Sequence, residues 1–203
     1  MSTVALVDYG MGNRRSVEKA LEHVGATVAR TADPEAIREA DAVVVPGVGA
    51  FPEAMRRLHA SGLDEVIAER AAHGTPVLGI CLGMQLLFER SVEHEGAQGL
   101  GLLPGEVTAL EAPKVPHIGW NRVAMRRASG LTRGLGDATA FYHVHSFVCR
   151  ALEDDVVGEG EYGERFASIV ERGTVMGVQF HPEKSSLDGL ALLRSFVALP
   201  VAA

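Results

Sequence analysis

A cysteine stands between two glycines in Gly79-Ile80-Cys81-Leu82-Gly83, where a short apolar run gives way to helical periodicity. The spacing is that of a nucleophile elbow, with a thiol in place of the usual hydroxyl. The glycines leave room for a tight turn, and the unpaired amides at the helix start favour the thiolate, the form that attacks carbonyl carbon. A cysteine nucleophile needs a base, and the base needs a third group to hold its tautomer and orientation. His181-Pro182-Glu183, directly after Val178-Gln179-Phe180, supplies both, and Pro182 restricts the geometry between imidazole and carboxylate. Acyl transfer also needs donors aimed at the developing oxyanion. Leu82 offers the N–H that follows the nucleophile, and the bend Pro46-Gly47-Val48-Gly49 can bring a second bare peptide close. Each segment taken singly has a plainer use: a buried thiol, a helix-entry turn, and a phosphate loop, although the P-loop lysine is missing.

The elements around these residues alternate. Thr3 to Val7, Ala26 to Ala29, Ala42 to Val45 and Val77 to Ile80 read as buried strands, separated by amphipathic stretches. Asn13 is placed to cap a helix that runs to about Val24 with Val17, Ala20, Leu21 and Val24 on one stripe, ended by Gly25. Further helices are expected over Pro34 to Glu39, Phe51 to His59, Leu63 to His73 and Leu82 to Phe88. After Gly96 come Gly- and Pro-punctuated runs: Gly105 to Leu110, His117 to Val123, Phe141 to Val148, Val156 to Glu161 and Phe166 to Glu171. Val175 to Phe180 is a last strand, and Ser185 to Val197 a last helix with Leu187, Leu190, Leu193 and Val197 inward. The expected architecture is a flavodoxin-like, three-layer α/β sandwich: one domain over residues 1–203, with a central, mostly parallel sheet and a small antiparallel extension. In such sheets the strands' carboxyl ends gather the active site, and Cys81 and His181 both follow strands.

Other reactive residues read more plainly. His143 and His145 alternate along a strand and share a face, but a zinc site needs a third protein ligand at suitable spacing, and none is evident. Cys149 follows Val148 with no base nearby and reads as a packed small hydrophobe. The chain carries a formal net charge of -7, which gives no attraction to nucleic-acid phosphates or anionic lipid. No basic n-region opens the sequence, no run approaches a bilayer span, and two cysteines are too few for a disulfide framework. A reduced, cytoplasmic protein is expected.

Gly79 to Gln85, Gly-Ile-Cys-Leu-Gly-Met-Gln, taken with His181-x-Glu183, resembles the class I, triad-type glutamine amidotransferases. The segments Asp8 to Asn13, Pro46 to Phe51, His117 to Asn121, Tyr142 to Ser146 and Gln179 to Ser185 are similar to the branch of that family that serves imidazole glycerol phosphate synthesis in histidine biosynthesis. The resemblance implies that Cys81 attacks the glutamine amide, His181 protonates the departing ammonia and Glu183 orients His181, with water then cleaving the glutamyl thioester. It implies an oxyanion hole from Leu82, Val48 and Gly49, and glutamine contacts from Gln85, Gly47, Glu93, Ser146 and Phe147. It also implies a heterodimer with a separate (β/α)₈-barrel cyclase subunit that receives the ammonia, docked near Asn13, Trp120, Tyr142 and Lys184. No metal or organic cofactor is implied. Two other readings stand beside this one. One is a glutaminase serving a synthase of pyridoxal phosphate, anthranilate or GMP. The other is a non-catalytic module of the same fold, against which the presence of all three triad members argues.

Overall fold

The computed structural model describes residues 2–200. In chain order its elements are β1 (Thr3–Val7), α1 (Arg14–His23), β2 (Thr27–Thr31), α2 (Pro34–Arg38), β3 (Ala42–Gly47), α3 (Phe51–Ala60), α4 (Leu63–Ala72), β4 (Val77–Cys81), α5 (Leu82–Leu86), β5 (Phe88–Ser91), β6 (Ala97–Gln98), β7 (Leu103–Ala109), β8 (His117–Met125), β9 (Ala138–His145), β10 (Phe147–Ala151), β11 (Val156–Tyr162), β12 (Glu164–Arg172), β13 (Val175–Val178) and α6 (Ser186–Val197). A 3-10 turn at Pro182–Lys184 precedes α6.

Among the described residues the main sheet has nine strands in the order β2-β1-β3-β4-β13-β12-β11-β8-β9. The pairings from β2 to β13 are parallel and those from β13 to β9 antiparallel. The antiparallel extension is thus a continuation of the same sheet. A second, four-stranded sheet, β10-β7-β5-β6, stands apart from it. The alternation of side chains along the parallel strands explains the layers. Ala5, Val7, Val43, Val45 and Val77 face α3 and α4 through Phe51, Leu58, Val66 and Ile67, and this same cluster takes in Phe88, Val107 and Cys149 of the second sheet. Val4, Leu6, Val44, Leu78 and Ile80 face α1 and α6 through Val17, Leu21, Leu192, Leu193 and Phe196.

Three local expectations change. The helical reading from Leu82 stops at Leu86, because Phe88 enters β5 and fills the core beside Leu103. The run Phe141 to Val148 is two strands in different sheets, parted at Ser146, whose carbonyl accepts from Leu110 N instead. On α6 the inward face is Gly189, Leu192, Leu193 and Phe196, while Leu187 is 78% exposed. A helix rich in apolar residues fits more than one stripe, so periodicity alone does not select the buried one. Strand β3 also runs on through Pro46 to Gly47. The ladder to β1 ends at Val44, so no partner there requires an N–H from Pro46, and the Pro46 carbonyl accepts from Tyr9 Oη at 2.6 Å.

The turn after β4 is pressed hard against β3. A Cβ on Gly83 would come within 1.8 Å of the Val45 carbonyl oxygen, and one on Gly79 within 2.5 Å of the Gly83 oxygen. Gly83→Ala is therefore expected to lower unfolding stability by about 1–3 kcal/mol, the cost typical of overpacking. Urea denaturation measures this, and an unchanged midpoint would show that the turn can move away from β3.

Candidate active site

Three strand ends lie side by side. In the parallel register Gly47 pairs with Cys81 and Val178 with Ile80, so the ends of β3, β4 and β13 open on one edge of the sheet. Cys81 begins the turn into α5 with φ of 56°, a left-handed conformation that is unfavourable for any residue with a side chain. It persists because Gly79 and Gly83 let the chain double back at contact distance. The thiol, only 6% exposed, lies 3.7 Å from the Val144 carbonyl and 3.9 Å from Gln179 Nε2.

His181 is held at both ends of its backbone. Its N–H donates to the Tyr142 carbonyl at 2.9 Å, and its carbonyl accepts from Ser185 Oγ at 2.7 Å. Ser185 Oγ in turn accepts from Tyr142 N at 3.0 Å. The side chain meets Glu183 Oε1 through Nδ1 at 2.9 Å, within the short turn that Pro182 starts. A carboxylate can only accept, so Nδ1 carries the hydrogen and the other edge of the ring adjoins Cys81. Burial opposes a charge on His181, but Cys81 and Glu183 together outweigh it and push the imidazole up to about 10. The result is a buried cation beside a sulfur, oriented by a carboxylate whose side chain is fully enclosed.

Cys81 and His181 border a cavity of about 310 Å³, and Glu183 lies behind His181. Val48, Gly49, Leu82, Gln85, Glu93, Ser146 and Phe147 also line the cavity. Lys184, itself exposed, reaches the rim. Gln85 Nε2 donates to the Phe147 carbonyl at 3.2 Å and to Gln179 Oε1 at 3.1 Å. Both amide hydrogens are thereby used, which leaves Oε1 to accept from whatever enters. Glu93 Oε2 accepts from Phe51 N at 2.8 Å and so holds the start of α3, whose N-cap Ala50 has no polar side chain. Gly47 is not on the cavity wall: a Cβ there would meet Tyr9 Oη at 2.7 Å and Leu82 Cβ at 2.9 Å, so it lies packed behind the wall.

Asn13, Trp120 and Tyr142 stand outside the cavity. Trp120 and Tyr142 face each other across β8 and β9 with ring centroids 6.3 Å apart. Asn13 caps α1 by position, without a side-chain hydrogen bond, and α1 touches the turn that carries Lys184. His143 and His145 do share a buried face, and both are hydrogen-bonded within the protein, His143 to the Phe141 carbonyl and Ser168 Oγ, His145 to the Phe147 carbonyl and His117. Cys149 is enclosed in the core, where burial pushes its thiol well up. Sequence reasoning passed over Gln179, Ser185 and Tyr9. Gln179 had a signal, a wholly buried amide within the apolar run Val178-Gln179-Phe180. Ser185 joins the His181 carbonyl, four residues before it, to the distant Tyr142 N–H, and Tyr9 reaches the Pro46 carbonyl 37 residues on; the long-range partners have no local signal.

A strained thiol at a strand-to-helix turn, a charged imidazole and an orienting carboxylate at one edge of an α/β sheet make a hydrolytic or transfer site for a carbonyl compound. The chain belongs to the class I glutamine amidotransferase family, whose model matches residues 5–198. The imidazole glycerol phosphate synthase subunit HisH of Moorella thermoacetica is 52% identical over 198 residues, covering 97% of this chain and 94% of that one. The HisH subunit of Bacillus cereus is 48% identical over 194 residues, with 95% and 93% covered. Two solved structures share the fold. One, a glutamine amidotransferase, has a TM-score of 0.77 at 20% identity, with 97% of this chain and 99% of that one covered. The other, PurLQS from Thermotoga maritima, has a TM-score of 0.74 at 21% identity, with 97% and 98% covered.

The charge on His181 has a measurable source. Glu183→Gln removes one of the two influences that raise it, so His181 should lose its proton at a lower pH than the value near 10 of the native protein. NMR titration of the imidazole tracks this, and an unmoved midpoint would mean that Glu183 does not set the charge.

Proposed function

We propose that the whole chain acts as a single amidotransferase domain, the glutaminase subunit of imidazole glycerol phosphate synthase, working in the cytoplasm. The observation that carries this reading is the Cys81, His181 and Glu183 constellation on a cavity walled by Gln85 and the Ser146–Phe147 segment. It is supported by about half-identity to HisH subunits over nearly the full length. Cys81 sulfur attacks the side-chain amide carbon of glutamine, and the oxyanion that forms is met by the Leu82 N–H and by the Val48–Gly49 peptide. His181 gives its proton to the departing nitrogen, and ammonia leaves. Water, activated by the now neutral His181, attacks the thioester, releasing glutamate and restoring the sulfur. Glu183 stabilises the cation and fixes the ring throughout.

The remaining groups select the amino-acid end of the substrate. Gln85 Oε1 accepts from the α-ammonium, with Glu93 adding negative charge nearby. The Ser146 and Phe147 carbonyls are engaged by Leu110, Gln85 and His145, so that segment offers the substrate its N–H groups. Gly47 contributes as backing to the Val48–Gly49 peptide. Ammonia passes to a (β/α)₈-barrel cyclase that forms a heterodimer with this chain over Asn13, Trp120, Tyr142 and Lys184. Trp120 is 57% exposed and Ile118, two residues before it, 60%, an apolar pair of the kind that anchors interfaces.

Cys81→Ala removes only the attacking sulfur. It should abolish glutamine hydrolysis while ammonia-dependent cyclisation in the reconstituted complex continues; appreciable hydrolysis by the folded variant would refute the mechanism. Trp120→Ala should weaken cyclase binding by about 2 kcal/mol or more, as loss of a tryptophan hot spot does. Calorimetry measures this, and native affinity would place the docking face elsewhere.

A further inference from the structure

Behind the cavity runs a chain of hydrogen bonds whose direction is fixed from both ends. His145 Nδ1 lies 2.9 Å from the Phe147 carbonyl. A carbonyl can only accept, so Nδ1 carries the hydrogen and Nε2, in the neutral ring, must accept. The group facing that Nε2, at 3.0 Å, is His117 Nδ1, which therefore donates and leaves His117 Nε2 as an acceptor. At the other end, Asn121 Nδ2 lies 3.0 Å from the Glu161 carbonyl, which identifies it as the amide nitrogen. Its second hydrogen points to His117 Nε2 at 3.3 Å. Two carbonyls at opposite ends thus assign the same tautomers to both rings, with no atom left in conflict. Neutrality fits the surroundings: burial lowers His117 and holds His145 down to about 4. His117 is further fixed by stacking on Tyr162, with centroids 4.1 Å apart.

We propose that His117 is a positioning residue for glutamine: by donating to His145 it fixes the tautomer that lets His145 tether the Phe147 carbonyl, and so sets the pocket wall that takes the amino-acid end of the substrate. This rests on the glutaminase reading above. The same carbonyl accepts from Gln85, so its placement also governs where Gln85 Oε1 points. His117 touches neither the sulfur nor the cavity, and its effect falls on substrate binding more than on the chemical step.

Two substitutions separate hydrogen bonding from packing. His117→Phe keeps a flat ring against Tyr162 but donates nothing. His117→Asn loses the ring but carries Nδ2 where Nδ1 stood. In the complex with the cyclase, His117→Phe should raise KM for glutamine about tenfold with a smaller fall in kcat, the effect of one lost buried hydrogen bond. His117→Asn should stay within about threefold of the native KM, since the donor is kept. Nitrogen-15 NMR of the native chain should show His145 protonated at Nδ1, and in His117→Phe a mixture of tautomers. Native turnover with an unchanged KM in His117→Phe, or His117→Asn more impaired than His117→Phe, would overturn the proposal. If neither variant folds, the native spectrum decides, since a hydrogen on His145 Nε2 refutes the assignment. Absence of glutamine turnover in the native complex would instead remove the functional reading beneath it.

Discussion

The contact between the Cys81 turn and the end of β3 governs the site. With Gly83 close enough to Val45 that not even a methyl group fits, the chain after β4 has one path, and that path holds Cys81 at φ 56°. A strained residue of this kind costs about 1–3 kcal/mol and survives only where the surroundings over-determine it. Here the over-determination comes from a register: β3, β4 and β13 are locked side by side, and the residues beyond each strand end are delivered to the same edge. The close approach also explains Gly47, which lies behind the cavity wall against Leu82 and Tyr9, where a Cβ would not fit.

Four histidines lie within one buried region, yet they carry different charges. His143 is held down to about 3 and His145 to about 4 by burial, which their hydrogen bonds to the Phe141 and Phe147 carbonyls only partly offset. His181 is buried as well, but the sulfur on one edge and the carboxylate on the other reverse the outcome. Burial favours the neutral form of each ring, and the partners on its two nitrogens decide whether that is reversed. The carbonyl and hydroxyl beside His143 are too weak to reverse burial, while the sulfur and the carboxylate beside His181 do reverse it. The arrangement confines positive charge, among these four rings, to the one proposed above to give up a proton.

Much of this was legible in the sequence, and unevenly. The βα alternation and the Gly-x-Cys-x-Gly turn were readable because each is a local pattern: a period of two, a period of 3.6, and glycines where a chain must turn tightly. His181 and Glu183 were readable because Pro182, between them, fixes their relation. Ser146 marks a change of sheet and reads as mid-strand, because a strand that leaves one sheet for another keeps its local alternation. Leu187 reads as inward because α6 is apolar on more than one side, and only packing against β9 and α1 selects the face. Gln179 and His117 escaped because their partners lie far off along the chain, where spacing carries no information, and so does the Tyr142 N–H that Ser185 ties to His181.

The hairpin β8–β9 makes its hydrogen bonds to Cys81, His181 and Ser185 with main-chain atoms. The Val144 carbonyl meets the sulfur, and Tyr142 exchanges its N–H and carbonyl with Ser185 and His181. Every residue but proline offers the same main-chain groups, so the outward side chains on this hairpin can drift over generations without disturbing Cys81 or His181. On the docking face proposed above, a lineage could refit Ile118 and Trp120 to a different partner while the backbone contacts to Cys81 and His181 stay as they are. The geometry thereby makes choice of partner and choice of chemistry separately heritable traits of one polypeptide.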